Sequence, residues 1–149
     1  MTLLHMKITR TLIKAINAER FVELGEKPQG QIRIDHNSQV KRIKLGEKDQ
    51  AIIEFEYTAS YGAVGIIRIQ GGLFVSHPDI KKIAAEWQES KKMENQLAGT
   101  IHTTVMRICV PEAVGIAKDL ELPPPIPLPQ VRLGNKSPNA KGHVGPEVA

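Results

Sequence analysis

Cysteine is all but absent: the 149-residue chain contains one, Cys109. A lone thiol closes no internal disulfide, which excludes the disulfide scaffolds of small secreted domains and points to a reducing cytosol. Aromatic residues make up only 4%, with one Trp, two Tyr and three Phe, so the core has to be built mainly from Ile, Leu and Val. No run approaches the roughly 18 consecutive apolar residues that a membrane span needs. Met1 to Lys7 shows no charged segment leading into a long apolar stretch, and so no signal-peptide pattern. Gly71-Gly72 lacks the further glycines and the Lys-Ser/Thr pair of a phosphate loop. There is no Cys-x-x-Cys, and the five histidines are scattered, so no metal site is expected. Glu54 and Glu56 stand two apart on one strand face, the spacing of a solvated face as much as of an acid–base pair. Each common catalytic arrangement is thus missing, and the chain reads as a non-enzymatic binding protein without a cofactor.

What is present is strand pattern followed by helix pattern. Residues 3–17 alternate imperfectly, with Leu4, Met6 and Ile8 on one face, and are rich in β-branched side chains. They predict a long, bulged strand, although Thr11 to Arg20 alone also passes as helical. Residues 24–30 are turn chemistry. Ile32, Ile34, Val40, Ile43 and Leu45 predict a second strand with a polar interruption at His36-Asn37-Ser38. Ile53, Phe55 and Tyr57 alternate with Glu54, Glu56 and Thr58, the period of two of a strand with one wet face. Ala63 to Gln70 is a more continuous apolar run, and Gly71-Gly72 is placed to bulge or bend the strand before Leu73-Phe74-Val75. Four antiparallel strands joined by short turns are the simplest arrangement.

From Pro78 the period becomes helical: Ile80, Ile83, Ala84 and Trp87 share a face, with Ser76 or Asp79 as the expected cap. A polar link over 88–95 leads to a second helix from Gln96 to Leu120, in which Pro111 is expected to force a kink or restart. His102 and Cys109 lie seven apart on one face of it, as core residues would. Beyond Leu120 the prolines of Leu122 to Pro129 exclude helix. The fold class is therefore α+β, with residues 1–133 as one domain and 134–149 as a polar tail expected to be disordered.

Two segments resemble the SecB family of protein-export chaperones. One is Ile53 to Ser60 followed by Ile66 to Val75, similar to the family's Thr-Ala-Ser strand end and its Gln-Gly-Gly-Ile-Phe strand. The other is Val110-Pro111-Glu112-Ala113 with the proline exit at 122–129, similar to the family's Phe-Pro-Tyr-Ala-Arg helix and its proline-rich ending. The resemblance implies a cytoplasmic homo-oligomer, dimer or tetramer, that holds non-native polypeptides in surface grooves without ATP. By position it implies Phe55, Tyr57, Tyr61, Leu73, Phe74, Ile126 and Leu128 as groove residues.

The sequence departs from that family in charge. It carries a net +4, and residues 1–48 hold ten Lys/Arg against five Asp/Glu. Val114 also stands where the family has Arg. The basic residues Lys7, Arg10, Lys14, Arg20, Arg33, Lys41, Arg42 and Lys44, with Lys136 to Lys141, offer a second expectation. It is contact with RNA, a ribosome or an acidic partner, steeply salt-dependent in the nucleic-acid case. A structural subunit of a larger complex is the third.

Overall fold

The computed structural model describes residues 6–126, and within them one helical layer packs on one face of a sheet. The strands are β1 (Lys7–Arg20), β2 (Asp35–Leu45), β3 (Gln50–Ser60) and β4 (Gly65–Ser76), followed by α1 (Ile80–Ser90) and α2 (Asn95–Asp119). All neighbours are antiparallel, in the order β1-β4-β3-β2. The expected α+β class and element order hold.

The core follows from the period of two. Ala51, Ile53, Phe55, Tyr57 and Ala59 of β3, with Ile67, Ile69, Leu73 and Val75 of β4, are buried on the inner face. Against them α2 sets a row at i, i+4 spacing: Ile101, Val105, Cys109, Ala113 and Ala117, all 0% exposed. The last three are small, which lets the helix axis approach the sheet. Neither helix packs on β1 as it does on β2, β3 or β4, so Ile16 on its inner side stays half exposed.

Four local expectations need correction. β1 and β2 are not a hairpin, because they occupy opposite edges of the sheet. Residues 21–34 cross three strand spacings, about 14 Å. The turn chemistry is real, with a Glu26 N–H bond to the Glu23 carbonyl at 3.0 Å, but turn chemistry does not say which strand pairs with which.

His36-Asn37-Ser38 does not interrupt β2; all three pair with β3. Nor does Gly71-Gly72 bulge β4, whose register with β3 is unbroken. The irregularities lie in β1, around Thr9 and Lys14, and in β2, around Lys41. Finally, α2 does not restart at Pro111 but continues as one element through it. The carbonyl that loses its donor belongs to Arg107, an exposed residue, where water can satisfy it.

The cap of α1 is also not as expected. Asp79 holds the cap position without a side-chain hydrogen bond. Instead His77 Nδ1 accepts the Asp79 N–H at 3.0 Å, and its carbonyl accepts the Ile80 N–H at 3.1 Å.

Candidate polypeptide-binding groove

One recess next to a free strand edge lies along β2. It begins with local structure. Lys91 ends α1 in the left-handed conformation (φ 59°), donating its N–H to the Trp87 carbonyl at 2.7 Å. Its ammonium lies 4.1 Å from the centre of the Trp87 ring, a cation–π contact that covers one indole face. Three residues on, the Glu94 carboxylate caps α2 by accepting the Gln96 and Leu97 N–H groups at 2.9 and 3.1 Å. The short link therefore turns sharply, with its two ends fixed by caps.

Two polar pairs set the distance between β2 and what lies beneath it. Ser38 Oγ and His102 Nδ1 are 2.7 Å apart, joining β2 to α2. His36 Nδ1 and Tyr57 Oη are 2.8 Å apart, joining β2 to β3. Both pairs use inward-facing positions of β2, which explains why a polar stretch can run through a strand whose inner face is partly covered. Between β2, α1 and α2 remains a groove of about 480 Å³ whose apolar lining is Val40, Trp87, Met93, Ala98 and Ile101. Beside it runs the outer edge of β2. Among the described residues that edge pairs with no strand, so its outward N–H and C=O groups are open to an added strand.

The residues that sequence resemblance suggested for a groove are divided between three places. Phe55, Tyr57, Tyr61 and Leu73 are at most 2% exposed and fill the core, although Phe55 also borders a hollow beside Gly71 and Gly72. Period-two alternation puts Phe55, Tyr57 and Leu73 on the helix side, and the Tyr61 hydroxyl is tied to the Pro123 carbonyl at 2.6 Å. Burial pushes the Tyr61 hydroxyl up to about 12 and raises Tyr57 further, with Tyr61 and Cys109 adding to the latter. Phe74 lies on the opposite face of the sheet, beside its cross-strand partner Ile52. Ile126 is partly exposed at the end of the described chain, and Leu128 lies outside the described residues, as do the Lys136–Lys141 stretch and the 134–149 tail.

The groove's actual lining was legible only in part. Trp87 reads from the sequence as a core residue, and it is 7% exposed, but it also forms the groove floor. No local signal marks Met93 or Ala98, because the groove depends on how α1, the link and β2 are placed together.

The basic residues also separate. Arg20 reaches the Leu120, Glu121 and Glu26 carbonyls at 3.2, 3.1 and 2.9 Å; it clamps the crossover to the end of α2. Arg33 pairs with Asp35 and Arg42 with Glu54, while Lys41 and Arg68 both hold Glu56. Lys7, Arg10, Lys14 and Lys44 are exposed and have no ion pair among the described residues.

Among the described residues no helix is long and apolar enough to cross a membrane. No protein-family model matches the chain, and no curated protein matches it.

Proposed function

We propose that the protein is an ATP-independent holdase of the SecB type, which binds non-native polypeptides as extended segments, in the cytoplasm and as a homo-oligomer. The observation that carries this reading is the pairing of an open β2 edge with a groove of mixed apolar and polar lining next to it. An extended client adds main-chain hydrogen bonds along such an edge, and alternate side chains enter the groove, so affinity needs no particular sequence. Val40, Met93 and Ala98 supply the partly exposed apolar area, a flexible thioether among them. Nothing in this mode requires a nucleotide or a cofactor.

The test is a titration of a stably unfolded, fluorescently labelled polypeptide at low and high salt, with an unstructured RNA as comparison. Micromolar or tighter polypeptide binding that persists at high salt, with weaker RNA binding, is expected. No polypeptide binding, together with RNA binding that collapses as salt rises, means that the fold serves nucleic acid instead.

A further inference from the structure

The face of the sheet away from the helices carries a second surface, an apolar row closed at both ends by cations. The strand registers set Arg10, Phe74, Ile52 and Lys44 side by side across all four strands. With strands about 4.8 Å apart, the backbone positions of Arg10 and Lys44 lie about 14 Å from each other, with those of the two apolar residues between them. The next row is Leu12, Gly72, Glu54 and Arg42. Gly72 projects no side chain, so Leu12, Ile52 and Phe74 border an open hollow of about 300 Å³. A second hollow, about 470 Å³, shares Ile52 and Phe74 and extends to Lys7 and Lys44. Lys14, at the second irregularity of β1, borders the first. The one acid lining either hollow is Glu54, already held by Arg42 at 2.6 Å.

We propose that this face docks an acidic amphipathic segment of a partner protein. A bulky apolar side chain of the segment sits on Leu12, Ile52 and Phe74, and flanking carboxylates pair with Arg10 and Lys44, with Lys7 and Lys14 adding to the field. The charge pattern selects this occupant. A second copy laid face to face, at the roughly 10 Å of sheet packing, sets cations against cations around the apolar centre. Of the three apolar border residues Leu12 and Ile52 are aliphatic, which leaves Phe74 as the one ring among them on which a nucleobase could stack. An acidic helix, about 10–12 Å across with its side chains, fits between Arg10 and Lys44. The surface lies on the opposite face of the sheet from the groove along β2, and does not depend on it.

The experiment is fluorescence anisotropy of the full chain with a labelled acidic helix-forming peptide that carries Leu and Phe at i, i+3, i+4 and i+7. Binding in the micromolar range is expected, weakened by salt and lost when the Leu and Phe positions are Ala. The exposed double reversal Arg10→Glu/Lys44→Glu is expected to weaken binding at least about tenfold. An equal change of charge at Lys81→Glu/Lys82→Glu, on the exposed side of α1, is expected to leave it unchanged. Circular dichroism confirms that both variants fold. The proposal is overturned if both reversals weaken binding equally, or if the first leaves it intact. It is also overturned if a single-stranded RNA, or vesicles of phosphatidylcholine and phosphatidylserine, bind this face more tightly than the peptide does.

Discussion

Gly71 faces Phe55 across the β3–β4 ladder so closely that a Cβ at position 71 would stand 2.8 Å from Phe55 Cζ, while also meeting the Leu12 carbonyl of β1. A side chain cannot enter here without moving the backbone of the neighbouring strand, whereas the ring of Phe55 has some freedom. Gly71→Ala is therefore expected to destabilise the protein by about 1–3 kcal/mol, the range of overpacked cores. Adding Phe55→Leu should recover only part of the loss, because the Leu12 contact persists. Urea unfolding of the single and double variants measures both effects; full recovery would place the strain on the ring alone.

Arg20 ties the crossover and the end of α2 with three hydrogen bonds to carbonyls. Its planar fork serves acceptors in different directions at once, which an ammonium on a flexible stem does less well. Arg20→Ala is expected to cost about 1–3 kcal/mol, and Arg20→Lys should restore less than half of it. Proteolysis near residues 21–34 should quicken in both variants, since the link loses its anchor. Full rescue by Lys would show that charge, not the fork, matters.

Stability should fall on the alkaline side. Burial, with Glu112 nearby as the smaller cause, pushes the Cys109 thiol from 9.0 up to about 12, and burial alone moves Tyr61 from 10.0 to about 12. Well below pH 9 both groups are protonated whether the chain is folded or not, so they add no pH dependence there. Between pH 9 and 12 the unfolded chain sheds protons that the folded chain keeps, and stability drops as pH rises. Urea midpoints measured across that window should decline. Tyr61→Phe, which cannot ionise, should flatten the slope while losing the bond to the Pro123 carbonyl. A midpoint constant up to pH 12 would contradict this.

Glu56 sits between Arg68 at 3.0 Å and Lys41 at 3.6 Å on the outer face, and its side chain is only 13% exposed. The two cations remain half exposed, so screening limits what the trio contributes. Glu56→Gln is expected to cost no more than about 1 kcal/mol at low salt, and less at high salt. A large loss that salt does not change would mean that the carboxylate has a packing role instead.

How much of this was legible in the sequence depended on range. The alternation of Ile53, Phe55 and Tyr57 gave β3 its two faces correctly, and the Ile80, Ile83, Ala84 and Trp87 spacing gave α1 its buried side. Both are local patterns set by a single period. Strand order was not legible, because the pairing of β1 with β4 depends on a crossover that no local signal encodes. His36 and Ser38 looked like a break, since a polar residue on an inner face reads as loop until its partners Tyr57 and His102 are known. The burial of four of the expected groove residues was hidden for a related reason. Apolar aromatics such as Phe55 and Tyr57 look alike whether they line a groove or fill a core, and only their coverage by α2 decides it.

The most direct test of a client site along β2 is hydrogen–deuterium exchange of the full chain with and without a stably unfolded polypeptide. Added main-chain bonds should slow exchange in residues 35–45, and occupancy of the groove should protect 87–102, leaving the β1 edge unchanged. Protection confined to β1, or binding without any protection along β2, would contradict the account.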